Sequence, residues 1–240
     1  KINKFFIRRL GGVIVSGKSH LEIFNNLISE SSIKIIPNFA QERLFISDSD
    51  FQSKFKVLDP IRLLYVGGLI EMKGYFELTK AFIELPQEIK KHFVFDIAGK
   101  FESEAAESTF FKLVNNNEGI TYHGIIDEAT KNHLFSSAHI FCLPTSFLEG
   151  QPISILEAYA SGCLVLTTPQ PGILDIFENN VNGFIILERN VPEVKNALIN
   201  ALERVSEIKE IANYNKNFAC DNYKLEKYVS AVRDSFENLK

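Results

Sequence analysis

Cysteine is scarce in this 240-residue chain, and the three that occur, Cys142, Cys163 and Cys220, share no metal spacing and leave one unpaired. That argues against a disulfide framework and against a cysteine-built zinc site. Cys142 and Cys163 fall in apolar strand candidates, so buried, reduced thiols and a cytoplasmic location are expected. The five histidines, His20, His92, His123, His133 and His139, belong to no metal motif, and no metal is expected. No apolar run approaches the length of a membrane span, and no secretory leader is visible. A basic excess is missing too: 26 Lys and Arg against 30 Asp and Glu leave a formal net charge of −4, so no nucleic-acid partner is expected. There is no internal repeat and no low-complexity segment. The chain opens on Lys1 and has one methionine, Met72, as expected of a piece of a longer polypeptide.

What is present is an ordinary globular composition, 45% hydrophobic and 23% charged, arranged in a regular alternation. Gly12–Ser16 and Ile33–Ile36 are short strand candidates around a predicted helix, Lys18–Ser29, with Leu21, Phe24, Leu27 and Ile28 inward. Gln41–Asp59 is polar and aperiodic and reads as a linker or loop. From Arg62 onward, strands are predicted at Arg62–Val66, Phe93–Ala98, Ile120–His123, His139–Leu143, Cys163–Thr167 and Phe184–Leu187. Helical patterns lie between them at Tyr75–Leu85, Ser103–Asn115, Glu128–Ser136 (Asp127 its N-cap) and Pro152–Ser161. The central strands are apolar without alternation, as strands covered on both faces are. The expected fold is therefore α/β, a doubly wound parallel sheet of Rossmann-like type, followed by a helical tail from Val191 to Lys240.

Ligands of such sheets bind at the carboxyl ends of the strands. There the chain places Gly67 and Gly68 with Lys73 downstream, then Gly99-Lys100, then His123-Gly124, and then Pro144-Thr145-Ser146 leading to Glu149. Glycine at these ends lets backbone approach a ligand closely, although it is also common turn punctuation. The stretch from Phe147 to Gly162 reads as a loop turning into a helix. Pro152 suits the first helical position and Gly162 the residue past the end. Ile153, Leu156 and Ala160 form its apolar stripe, and Glu157 projects from the stripe's edge, where a carboxylate needs a polar partner. The helix N-terminus near Ile153 and Ser154 suits a phosphate. A capping box Ser146-x-x-Glu149 fits badly because Pro152 starts the helix later. A nicotinamide site fits badly as well: Gly67-Gly68 with Gly74 is not G-x-G-x-x-G, and Asp96 lies within its strand.

These residues resemble the retaining glycosyltransferases of the GT-B fold, family 4. The hallmark is a glutamate pair spaced E-x7-E, matched by Glu149 and Glu157 within Glu149-Gly150-Gln151-Pro152-Ile153-Ser154-Ile155-Leu156-Glu157. Pro144, Ala158, Ala160 and Gly162 fit the surrounding pattern, Val66 to Gly74 the phosphate segment, and Ile36-Pro37-Asn38 the segment joining two domains. Pro171-Gly172-Ile173 and Asn182-Gly183-Phe184 fit later loops. The resemblance runs from about Gly12 to Leu187. It implies a divided chain: residues 1–47 the end of an amino-terminal domain and linker, 48–222 the nucleotide-sugar-binding domain, and 223–240 a helix crossing back. It also implies roles. Glu157 accepts hydrogen bonds from the ribose hydroxyls, and Glu149 contacts the donor sugar beside the reacting carbon. Amides after Gly150, through Gln151 and Pro152 to Ile153 and Ser154, hold the diphosphate, and Lys73 neutralises it as it leaves. Gly67, Gly68 and Gly99 line the donor crevice, and His123 and Gly124 wall the base pocket. The donor would be a UDP- or GDP-linked sugar, with no other cofactor. The acceptor would be a glycan or lipid-linked molecule, in polysaccharide assembly, with peripheral association at the inner membrane face through a domain absent here.

One position departs from the pattern: Gly68 stands where the family commonly carries an arginine on the diphosphate. Lys100 is a candidate replacement, and a non-catalytic binding module of the same fold is the alternative that Gly68 keeps open. A nucleotide-sugar epimerase, a phosphorylase, or an unrelated Rossmann-like protein with structural glutamates are further alternatives. Because the catalytic cleft of a two-domain enzyme lies between its domains, this chain assayed alone with donors and varied acceptors is expected to show little or no transfer. Robust turnover would contradict the expectation that this chain is an incomplete enzyme.

Overall fold

The computed structural model describes residues 2–115 and 117–237. A short helix α1 (Ile2–Ile7) precedes strands β1 (Val13–Val15) and β2 (Ile33–Ile35), which pair in parallel as a separate two-stranded sheet. Helix α2 (Asp48–Lys54) leads to β3 (Ile61–Val66), α3 (Tyr75–Ile83), the single turn α4 (Gln87–Lys90), β4 (Phe93–Ala98) and α5 (Glu104–Val114). Then come β5 (Ile120–Tyr122), α6 (Glu128–Ser137), β6 (Ile140–Leu143), α7 (Ile153–Ala160) and β7 (Leu164–Thr167). The chain ends with α8 (Pro171–Leu174), β8 (Gly183–Ile185) and the helices α9 (Val191–Glu203), α10 (Val205–Asn222) and α11 (Leu225–Glu237).

The main sheet has the order β5-β4-β3-β6-β7-β8, all parallel. Counted from β3 this is 3-2-1-4-5-6, the doubly wound order whose direction reverses between its first and fourth strands. Helix α3 packs beside α5 and α9, while α7 packs on α10 and α6 on α2. Strands β6 and β7 are buried at every residue, which is why they are apolar without alternation. The six strands and Asp127 as N-cap of α6, accepting from the Thr130 N–H, agree with the sequence reading. The tail resolves into three helices; Leu239 and Lys240 lie outside the described residues.

Four expectations change. Lys18–Phe24 is a 3-10 turn with no buried residue, not an α-helix to Ser29. No core lies beneath it, so an amphipathic stripe has nothing to pack against; Ser19 instead donates to Asp175 Oδ2 through its N–H (2.9 Å) and hydroxyl (2.6 Å). The segment Gln41–Asp59 is not a loop. It holds a 3-10 turn, Glu42–Leu44, and α2, which is capped by Ser47 and buries Phe51. Seven residues are too few to show helical periodicity, although Ser47 followed by Asp50 is a cap signal. Pro152 is the N-cap residue, with ψ 113°, and the helix begins at Ile153. Ile153 itself is exposed; the buried set is the whole run Ile155–Ala160, because α7 is wedged between the sheet and α10.

The end of α7 is closed from α2. Gly162 takes φ +63°, the left-handed cap, and a Cβ there would stand 2.7 Å from the Phe51 ring. The Lys54 ammonium donates to the carbonyls of Ser161 (2.8 Å) and Gly162 (2.9 Å), a cation on the negative end of the helix. Next to it His139 is buried, its Nδ1 accepting from the Arg62 N–H (3.0 Å) and its Nε2–H facing the Lys54 carbonyl (3.1 Å). Burial pushes its pKa down to about 4. A histidine whose folded pKa lies below its unfolded one contributes stability that is present above pH 6.5 and lost as pH falls toward 4. The lost contribution is about 3 kcal/mol. In urea titrations at pH 7 and pH 4, His139→Gln is expected to lose less stability on acidification than the unsubstituted chain by about that amount. Equal losses would show that His139 protonates freely in the fold.

Candidate functional site

In a doubly wound sheet the βα connections gather at the carboxyl edge, and those leaving β3 and β6 part at the reversal, opening a crevice between them. The β3 connection runs through Gly67, Gly68 and Leu69 into a 3-10 turn, Glu71–Lys73, that opens α3. The β6 connection runs through Thr145 to Glu149 and opens α7. Two hydrogen bonds clip them together: the N–H groups of Ser146 (2.8 Å) and Phe147 (3.1 Å) both donate to the Met72 carbonyl. Lys73 and Glu149 meet as a result. The Lys73 Nζ is 3.2 Å from Glu149 Oε1, and the Glu149 side chain is only 9% exposed. The Thr145 hydroxyl lies 3.4 Å from the same oxygen, and Lys73 is also 5.6 Å from the Phe147 ring centroid. Arg189, just beyond β8, braces the turn from outside by donating to the Glu71 carbonyl (2.6 Å) and pairing with Glu77 (2.8 Å).

The second acid is held differently. Glu157 is buried within α7, and its Oε1 is 2.6 Å from the Nζ of Lys131, in the first turn of α6. Burial pushes the Glu157 carboxyl up, and the Lys131 ammonium pulls against that rise. Each carboxylate of the E-x7-E pair thus faces its own lysine, one from the β3 connection and one from the β5 connection.

The other expected residues divide. Gly150 is half-buried, with the His20 ring across it: a Cβ at Gly150 would stand 3.3 Å from Nε2. Gln151 commits its side chain elsewhere. Its Nε2 donates to the Ser16 carbonyl (3.0 Å) and its Oε1 accepts from the Asn38 N–H (2.5 Å), tying the site loop to the amino-terminal segment. Pro152 is buried, and Ile153 and Ser154 form the accessible first turn of α7. Gly67 and Gly68 sit at the crevice, and the Tyr65 hydroxyl donates to the Gly68 carbonyl (3.0 Å). Gly99 serves the sheet edge, since a Cβ would meet the Gly67 carbonyl oxygen at 1.8 Å. His123 lies with Nε2 2.7 Å from Asp96 Oδ1, and Gly124 accepts from the Gly99 N–H (2.9 Å). Lys100 is exposed beside Leu69, whose N–H bonds the Lys100 carbonyl (2.9 Å). Sequence reasoning missed Arg189 and Lys131, whose roles come from contacts across the fold, and for Lys131 no local pattern signals them; the sequence puts Thr145 at the edge without its contact to Glu149.

A cavity of about 690 Å³ opens at the opposite edge, near the starts of β3 and β6. Its cations are already engaged: Arg43 with Glu128, Arg62 with Asp96, and Lys54 with the α7 carbonyls. Among the described residues no cluster of three or more His, Cys, Asp or Glu could hold a metal ion, and no helix is long and apolar enough to cross a membrane.

A parallel sheet of this order with helices on both faces is the Rossmann-like α/β fold of GT-B type. The chain belongs to the family of glycosyl transferases group 1, whose model matches residues 47–218. An uncharacterized glycosyltransferase of Methanocaldococcus jannaschii is 24% identical over 242 residues, covering 99% of this chain and 61% of that protein. The amylovoran biosynthesis glycosyltransferase AmsK of Erwinia amylovora is 28% identical over 153 residues, 61% of this chain and 37% of AmsK. Among solved structures, Anabaena HepE in complex with UDP and glucose superposes with a TM-score of 0.82 at 16% identity, over 99% of this chain and 66% of HepE. The chain therefore spans less than two thirds of the length of these relatives.

Helix α8 presses on the site loop. A Cβ at Gly172 would stand 1.9 Å from the Gly150 carbonyl oxygen and 2.2 Å from that of Glu149. Gly172→Ala is expected to displace the loop and lower stability by about 1–3 kcal/mol, read by urea denaturation. An unchanged urea midpoint would mean that the two segments are not packed this closely.

Proposed function

We propose that this chain is the donor-binding part of a retaining glycosyltransferase of family 4, which transfers a hexose from a nucleotide diphosphate sugar to a glycan or lipid-linked acceptor. The observation that carries the reading is the meeting of Lys73 and Glu149 at the strand-order reversal, 3.2 Å apart and nearly buried. A cation there suits the charge that develops on a leaving diphosphate, and the carboxylate beside it suits the hydroxyls of the sugar. The first turn of α7, at Ile153 and Ser154, offers free N–H groups to the phosphates. Glu157 supplies the carboxylate for the ribose diol, with His123 and Gly124 beyond it toward the base. The division at residues 47 and 222 is part of the proposal, as is transfer at the inner membrane face by the whole protein. UDP and glucose in HepE make a UDP-sugar the first donor to try.

Gly68 stands where the family's usual arginine would be. The backbone there has room for a side chain, since a Cβ would meet only the Ile70 side chain, at 3.3 Å. In calorimetric titrations with UDP and GDP, one of the two is expected to bind at micromolar concentration. Glu157→Ala is expected to abolish that binding, and Gly68→Arg to tighten it about tenfold, the worth of one charge-assisted contact to the diphosphate. Absence of binding by either nucleotide would favour the non-catalytic module instead.

A further inference from the structure

Lys131, the ion-pair partner of Glu157, has no part in the roles assigned so far. Helix α7 is buried continuously from Ile155 to Ala160, so Glu157 is a carboxylate inside an apolar wedge, 2% exposed. Such a group loses its water without a built replacement unless a partner is brought to it. The partner comes from a place where a lysine is poorly suited. Lys131 lies in the opening turn of α6, whose N-cap Asp127 and first residue Glu128 provide the negative charge that favours a helix start. A cation at that end is opposed by the helix dipole, and its one ion-pair partner among the described residues is Glu157, at 2.6 Å. Because α6 and α7 both start at the carboxyl edge of the sheet, the pair ties the helix that follows β5 to the helix that follows β6.

We infer that Lys131 is a positioning residue for the donor: its ammonium fixes the Glu157 carboxylate in the orientation that meets the two ribose hydroxyls. The inference rests on the donor reading above. A charged carboxylate accepts strongly from two neighbouring hydroxyls at once when it is oriented toward both, whereas a rotated one is poorly placed to meet the pair. With Oε1 held by Lys131, the group cannot swing as the nucleotide enters, and recognition of the diol becomes geometric. The same contact admits an opposite role, in which Lys131 competes with the ribose for Glu157, and the two differ in sign.

The test is calorimetric titration of this chain with UDP and with 2′-deoxy-UDP, for the unsubstituted protein, Lys131→Met and Lys131→Arg. The unsubstituted chain is expected to prefer UDP about tenfold, as loss of one hydrogen bond to a charged acceptor implies. Lys131→Met is expected to weaken UDP binding about tenfold and to bring the two ligands within about threefold of each other, while Lys131→Arg keeps the preference. The collapse of this ratio is the signature, because a merely destabilising substitution would weaken both ligands alike. Should Lys131→Met not fold, by its thermal melt, the same ratio is read in Lys131→Gln. UDP binding that is unchanged or tighter in a folded substituted chain, or a preserved ratio, would overturn the role of Lys131 and leave the donor reading standing. Failure of the unsubstituted chain to bind UDP or GDP would overturn both.

Discussion

The Met72 carbonyl, taking hydrogen bonds from the N–H groups of Ser146 and Phe147, is the contact on which the candidate site depends. At the reversal of strand order the connections from β3 and β6 leave the sheet in diverging directions, so nothing in the sheet itself keeps them near each other. The clip brings Lys73 within ion-pair distance of Glu149 and sets the Thr145 hydroxyl against the same carboxylate. Arg189 and the Gly172 backbone support it from either side, the first on the Glu71 carbonyl and the second against Glu149 and Gly150. Both supports come from beyond β7, which joins the last third of the main sheet to the chemistry of its first strand.

Electrostatics at this edge takes one form twice. Two carboxylates that the fold nearly removes from water are each matched with a lysine, one just before α3 and one in the opening turn of α6, two helices that follow different strands. Isolated buried acids would neutralise themselves, whereas paired ones keep an acceptor ready for hydroxyl groups. Elsewhere the charged groups serve the fold. Lys54 closes α7, and Lys216, one of the few buried cations, pairs with Asp48 at the start of α2. The amino-terminal segment is attached at the site as well, through Gln151 to Ser16 and Asn38 and through Ser19 to Asp175. The loop that carries Glu149 is thus fastened to the segment of β1 and β2.

Much of the architecture was legible because burial on both faces leaves a plain mark. The runs at Ile140–Leu143 and Leu164–Thr167 are buried at every residue and almost wholly apolar, and Asp127 and Gly162 mark a helix start and a helix end by their own chemistry. The short elements escaped notice. Helix α2 has too few residues for a period, and the turn at Lys18–Phe24 carries a helix-like spacing of apolar residues without a core to receive it. Ile153 was misplaced for a related reason: periodicity assumes one buried face, and α7 has hardly an exposed one.

The amino-acid sequence by itself determined the succession of strands and helices, the connections that carry Lys73, Glu149 and Glu157, and the family, since these follow from local pattern and spacing. Which charges touch was decided only by the tertiary structure. Lys131 finds Glu157, Arg189 finds Glu71 and Glu77, and Gln151 turns from the crevice to Ser16 and Asn38, because contacts between distant segments depend on how strands are ordered and helices wedged. Local spacing cannot encode the distance between two residues that belong to different layers.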